Sequence, residues 1–485
     1  MSYGRRRIFT DATEITSENV VEEVRKAAAV HASNRTEIKK LDEYFRGKTA
    51  VLTKKKEIRE KINHKVNENR AYEIVSFHKG YTFGEAIQYV RRENAASGRA
   101  DDDIAADINA LNGYMSDADK AACDNELAER MYVAGAGYRL TLPNQKWEKD
   151  GDEPPFSLYS LDPGQTFVVY SSSVDHRPMM GVNYVEREHN EKVYGVYTDD
   201  FYYEIADLGG EVVIKPNLLG MIPIIEYPAD TPRLGVFEIV LPLLDALDEL
   251  QSNRMDDVVQ YVNSILAIIG GQVDEETYKR IKEWTMLCLP EGVDAKYLSA
   301  TMNQNDVQTL KDDLYQSILT ICGVPNRNGG SSTSDTGSAV IMRDGWQAAE
   351  ARAKATELMF KRSEKGFLRL ILRILRDTVG TKLRLTDIET HFTRRNYENI
   401  ASKSQVLISM LDNPWIHPET AYASCGMFPD PESAYLQGKA WHDENEKKKK
   451  KEAERNADPG TDSLPPVQQA TGGLEGAGTD SVSEV

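Results

Sequence analysis

The chain has 485 residues, 40% hydrophobic and 28% charged, with 59 Lys and Arg against 77 Asp and Glu for a net charge of −18. Such a composition describes a globular protein with a sizeable core, and it excludes one that grips nucleic acid over a broad surface, which needs basic side chains to displace counterions from phosphate. Cys123, Cys288, Cys322 and Cys425 stand far apart with no CxxC pair, which argues for free thiols in a reducing compartment and against a zinc site.

Arg5, Arg6 and Arg7 open the chain, but no apolar run of signal-peptide length follows. Residues 1–40 are polar, with a helical face at Val20, Val21, Val24 and Ala28, and residues 41–47 read as a separate helix closed by glycine. Residues 67–84 predict another helix, with Ala71, Ile74, Val75 and His78 on one face. Between about 130 and 235 the texture alternates. Residues 138–142, 167–170, 181–185, 192–197, 201–205 and 211–214 predict antiparallel strands, which Pro223, Pro228 and Pro232 bring to an end.

Residues 236–269 place apolar side chains at helical spacing opposite a polar stripe of Glu238, Asp245, Glu249, Ser252, Asp256, Gln260 and Asn263. One helix of roughly 50 Å is expected there, its regular part starting near Val240 because Pro242 is tolerated only in a first turn. The stretch 258–269 is its most apolar part and too short to cross a bilayer, so a soluble cytoplasmic product is expected. Residues 271–302 form a compact insert containing Trp284 and Tyr297. A second helix has Asp306 as its cap, Val307, Leu310, Leu314, Ile318 and Ile321 on one face, and Gly323 and Pro325 at its end. Residues 326–337 are a loop by composition, and 338–377 predict a long helix rich in Lys and Arg. A short strand at 388–392 and small helices over 397–445 follow. Five lysines, Lys447 to Lys451, then lead into a tail expected to be disordered.

Certain segments, taken in order, resemble the portal family of long-tailed bacteriophages over roughly residues 35–445. They are Tyr44-Phe-Arg-Gly47, Asn69-Arg-Ala-Tyr-Glu-Ile-Val75 with Gly80-Tyr-Thr-Phe-Gly84, and the run from Leu158 to Tyr170 followed by Met180-Gly-Val-Asn-Tyr184. The strongest is Gly220-Met-Ile-Pro-Ile-Ile-Glu-Tyr-Pro228 leading into the run from Val240 to Ser252. Ser334-Asp-Thr-Gly-Ser338, opening the long helix, comes next. The resemblance implies a mainly helical α+β portal fold. It assigns an N-terminal arm (1–40), a wing (41–235), a first stem helix (236–269), an α/β clip (270–302) and a second stem helix (303–324). A tunnel loop (325–337), a long wing helix with its returning strand (338–396), a crown (397–445) and a disordered tail (446–485) complete it.

It further implies a ring of twelve copies at one capsid vertex, through which double-stranded DNA is packaged and ejected. The implied partners are the terminase large subunit, the major capsid and scaffolding proteins and a head-completion adaptor. No enzyme activity, cofactor, metal or membrane is implied, and assembly would take place in the host cytoplasm. Glu238, Asp245, Glu249, Asp256, Gln260 and Asn263 would then line the tunnel, Asn326, Arg327 and Asn328 would form the tunnel loop, and Trp284 and Tyr297 would meet partners at the clip. Residues 236–269 carry six acids against Arg254 and residues 303–324 carry three against Lys311, together −7, or −84 for twelve copies. A wall of that charge repels phosphate within a Debye length of about 8–10 Å, so DNA would slide.

Each assignment has a plainer counterpart. An acidic stripe also describes a solvated helix face, the loop a linker, the two aromatics core packing, and the lysine run a solvated helix end. The basic residues of the long helix suit either pairing with acids on a neighbouring subunit or ordinary solubility. Features suggesting an enzyme fail: Gly47-Lys48-Thr49 lacks the phosphate-loop glycine, since Asp42 stands there, and the chain has neither an HExxH nor a Gly-x-Ser-x-Gly sequence. The alternatives are another capsid-associated structural protein, which would form shells or stay monomeric, or a packaging enzyme, which would turn over nucleotide or DNA.

Overall fold

The computed structural model describes residues 4–56, 60–92, 101–148, 151, 153–187, 191–209, 211–262, 265–269, 294–298, 304–326, 345–393, 400–428 and 431–457. The chain divides into two compact units, Met1–Asn399 and Ile400–Val485. In the first, strand β1 (Ile8–Thr10) precedes helix α1 (Val20–Phe45). Val20, Val24, Ala27, His31, Asn34, Ile38, Leu41 and Tyr44 are buried at steps of three and four, so the two helices expected before Gly47 are one. Two core positions are polar, which hid the continuity. His31 Nε2 lies 3.2 Å from the Gly164 carbonyl, and the Asn34 amide exchanges two 2.9 Å bonds with the Arg6 backbone.

Next come α2 (Arg70–Phe83), β2 (Gln88–Arg91), α3 (Asp101–Asp117) and α4 (Lys120–Ala134). Gly135 turns the chain out of α4 at φ +85°, where a Cβ would strike the Arg233 backbone. Strands β3 (Ala136–Pro143), β4 (Phe156–Leu161), β5 (Thr166–Ser171), β6 (Pro178–Glu186), β7 (Lys192–Tyr197), β8 (Phe201–Ala206), β9 (Val212–Pro216) and β10 (Ile224–Pro228) follow. One sheet runs β1-β5-β6-β7-β8-β9, antiparallel except where β1 joins β5, and a second runs β10-β3-β4. The alternating runs are strands, as their period of two requires. β10 lies where prolines were read as an end to the strands. It is an edge strand with Pro228 at its last position, so the missing N–H costs the ladder little.

After a single 3-10 turn (Glu238–Val240) comes α5 (Leu241–Val262), then β11 (Ile265–Ile269), β12 (Asp294–Leu298), α6 (Gln304–Cys322), α7 (Trp346–Thr378) and β13 (Ile388–His391). The first long helix is therefore shorter than expected, 22 residues or roughly 33 Å. Residues 265–269 pair antiparallel with β12 instead. An apolar run of five fits either period, and a partner strand far along the chain decides. α6 begins at Gln304, so Asp306 sits in its first turn, where a carboxylate meets the positive end of the helix dipole, and is not the cap. Residues 327–344 lie outside the described residues, and with them the opening of the expected 338–377 helix. His78 Nε2 meets the Cys322 carbonyl at 2.9 Å, fastening α2 to the end of α6.

α7 is held by a buried ion cluster. Its Glu364 lies 3.0 Å from Lys120 Nζ and 3.2 Å from Arg139 Nη1, and accepts from Tyr227 at 2.7 Å and Tyr89 at 2.5 Å. Asp124 binds Lys120 at 2.5 Å and also contacts Arg139 Nη2. All six residues are at most 3% exposed, and the two cations balance the two carboxylates. Burial pushes the Glu364 carboxyl up, but Lys120 and Arg139 prevail and hold it down at about 2. Five elements (α4, β2, β3, β10 and α7) are pinned at one point, with Phe367 packed 4.6 Å from the Arg139 guanidinium.

The second unit contains α8 (Ile400–Leu411), α9 (Pro418–Cys425) and α10 (Pro431–Ala457). α10 runs through Lys447–Lys451, so the expected boundary of a disordered tail at 446 is too early. Glu444–Lys448 at 2.9 Å and Glu446–Lys450 at 3.6 Å stitch successive turns there. Residues 458–485 lie outside the described residues.

Two outcomes follow from the buried groups. Glu364→Gln leaves Lys120 and Arg139 short of a buried counter-charge and should cost about 3–5 kcal/mol in urea unfolding, whereas Arg362→Gln on the exposed side of the same helix should shift stability by less than about 0.5 kcal/mol. Burial pushes His31 and His78 down to about 4, so both are neutral in the fold, while the unfolded chain takes up protons below about pH 6.5. The stability they lend is present above pH 6.5 and is lost as pH falls towards 4. The urea midpoint should therefore be lower at pH 5 than at pH 7.

Candidate functional site

α5 and α6 form the helix pair expected to line a channel, and Arg254 on α5 donates to Gln308 on α6 at 2.8 Å. On α5 the polar stripe has a use that its sequence did not reveal. Residues 49–56 leave the end of α1 and run out along α5, and residues 60–68 run back along it, making the two arms of a clasp. On the outward arm, Thr49 Oγ1 donates to Asp248 at 2.8 Å, Lys54 to Asn253 at 2.6 Å and Lys56 to Asp256 at 2.6 Å. On the returning arm, the backbone N–H groups of His64, Val66 and Glu68 donate to Asp256 (2.7 Å), Ser252 (2.9 Å) and Asp248 (3.1 Å).

The register has a simple origin. Alternate residues of an extended chain are about 6.6 Å apart, and every fourth residue of a helix is about 6.0 Å apart. Steps of two on the clasp therefore match steps of four on the helix. Burial pushes Asp256 up, but the His64 N–H and Lys56 prevail and keep it below the usual carboxylate range. At Asp248 burial wins, and its carboxyl lies above that range.

Glu238 and Asp256 were expected on the tunnel wall, and the structure corrects both. Glu238 is buried at the foot of α5, where it accepts from the Gly4 N–H at 3.0 Å, the Gly235 N–H at 3.0 Å and Arg5 Nη2 at 2.5 Å. Asp256 is fully buried under the clasp. Both act inside the protomer, because a carboxylate with no exposure cannot present charge to a channel. Asp245 is half-buried and accepts from the Tyr44 hydroxyl at 2.8 Å. Glu249 is exposed and Gln260 half-buried, on a row with Pro242, Ala246 and Asp257 that faces away from the clasp. Asp257 was not on the expected stripe. Its place one residue beyond Asp256 gave no signal until the buried side was known.

Asn326 follows α6 and is half-buried. Arg327, Asn328, Trp284 and Asn263 lie outside the described residues, and Tyr297 is in β12 opposite Leu266. Met255, Val258 and Leu310, at helical spacing on the apolar sides of the two helices, are 46%, 38% and 49% exposed. Among the described residues, no helix is long and apolar enough to cross a membrane.

The family described as phage portal protein, SPP1 Gp6-like, matches residues 25–459. Among solved structures, the chain is similar to one from the neck of an empty gene transfer agent (GTA) particle computed with C6 symmetry. Identity there is 12% and TM-score 0.44, over 74% of this chain and 90% of that one. A chain of the native GTA virion is 14% identical with TM-score 0.43, over 81% and 94%. One from the native GTA neck with C12 symmetry is 13% identical with TM-score 0.41, over 74% and 90%. No curated protein matches.

Asp256→Ala removes the acceptor of the His64 backbone N–H and of Lys56. It should cost about 1–3 kcal/mol and speed amide hydrogen exchange at His64, Val66 and Glu68. Unchanged exchange there would mean that the clasp is held by something else.

Proposed function

We propose, on the premise that the chain belongs to the SPP1 Gp6-like phage portal family, that twelve copies form a ring at one capsid vertex and conduct double-stranded DNA inward during packaging and outward at ejection. The observation that carries the reading is the family match over residues 25–459. Supporting it, α5 and α6 stand as a linked pair joined by the long connection 263–303, the form a stem needs if it is to project a docking knob from a ring. The terminase large subunit and, later, a head-completion adaptor would dock on that knob, with capsid and scaffolding proteins around the wing. The ring does no chemistry, and the energy for transport comes from a separate motor.

The conduit works by not adhering. With Asp248 and Asp256 enclosed by the clasp, the charge that α5 leaves for a tunnel wall is the row carrying Glu249 and Asp257. Two acids per protomer from α5, repeated twelvefold, repel phosphate within about 8–10 Å, so DNA would slide past them. The loop at 325–337 is proposed to act as the valve against back-slip.

Twelve copies of the 54.5 kDa chain should give a particle of about 654 kDa with a central hole in negative stain, and no hydrolysis of nucleotide. A protein that stays monomeric at every concentration and salt tested would refute the ring.

A further inference from the structure

The long helix α7 carries a charge pattern that a conduit does not require. Its 33 residues hold eight Lys and Arg against Glu350, Glu357, Glu364 and Asp377, a net +4 on a chain whose remainder is −22. Glu357 and Glu364 face inward and are buried. Outward lies a single row of Leu358, Arg362, Lys365, Arg369, Arg373 and Arg376, spaced by three and four residues. From 362 to 376 it runs about 21 Å. Arg373 pairs with Asp377 at 3.0 Å, but Arg362, Lys365, Arg369 and Arg376 have no ion pair among the described residues. Like charges on successive turns repel, so the row carries a cost in a lone protomer.

At the N-terminal end of the row Leu358 is 71% exposed, beside a groove of about 460 Å³ lined by Leu234, Val236, Ile239 and Met359. The footprint is apolar at one end and cationic along its length. A double helix offers phosphate but no apolar counterpart to Leu358, whereas a protein surface offers both. The same chain bears exposed carboxylates without an ion pair among the described residues: Asp117, Asp119 and Glu126 around the start of α4, and Asp312 and Asp313 on α6. Basic row and acidic surfaces lie on different elements of one protomer. Two such complementary surfaces allow copies to pair head-to-tail, the arrangement that closes into a ring when the rotation allows.

We propose that the outward row of α7, with Leu358, is where one protomer receives the acidic surface of a second copy. The inference rests on the ring reading above and says which surface closes it. Copies labelled with ¹⁴N and ¹⁵N are mixed, assembled at low salt and treated with a carbodiimide. Lys365 is expected to couple to an Asp or Glu of an oppositely labelled copy. R362E/R369E/R376E should remain monomeric with unchanged circular dichroism. The neutral R362Q/R369Q/R376Q, which guards against misfolding, should need at least tenfold more protein to assemble. Triple variants that assemble like the unaltered chain would overturn the contact and leave the ring standing. So would normal rings that have lost only DNA retention, since the row would then serve nucleic acid. Failure of the unaltered chain to assemble would instead remove the ring reading, and this contact with it.

Discussion

A carboxylate stays charged inside a protein only when donors surround it, because an unpaired one costs several kcal/mol or more to take from water. This chain buries Glu226, Glu238, Asp256 and Glu364, and each fastens segments distant in sequence. Glu364 draws α4, β2, β3 and β10 onto α7, while Asp256 draws the clasp onto α5. Glu238 holds Gly4 and Arg5 at the foot of the same helix, and Glu226 binds Arg233 at 2.6 Å and contacts the Tyr170 hydroxyl. The apolar core supplies most of the driving force. The paired charges fix which element lies against which, since any other arrangement strands a charge.

That constraint separates the charges available to solvent from those that are not. Counted along the sequence, residues 236–269 and 303–324 together carry −7, but Asp248 and Asp256 face the clasp and Asp245 meets Tyr44. The solvent-facing side of α5 is thus more weakly charged than the sequence suggests. The clasp braces the helix from Asp248 to Asp256, and Gly4 and Arg5 hold its foot at Glu238.

Much of the fold was legible. The strands announced themselves by alternation, and α6 and α7 by their apolar rows, because those signals are local and need no partner. Three features misled. His31 and Asn34 broke the row of α1, being polar groups satisfied by segments far along the chain. Residues 265–269 fitted helix and strand alike until β12 paired with them. The acidic stripe of α5 looked like a surface, because a helical wheel shows that residues share a side and not what covers it.

By itself, the sequence determined the class of the protein, the order of its elements and its family resemblance, since all three are written in local periodicity and in the order of short segments. Tertiary structure alone decided which acids are exposed. Asp256 and Asp257 are neighbours of the same chemistry, yet one is enclosed by Lys56 and His64 and the other faces solvent. The difference is a rotation of about 100° around the helix and the presence of a strap two hundred residues away in sequence, which no local pattern encodes.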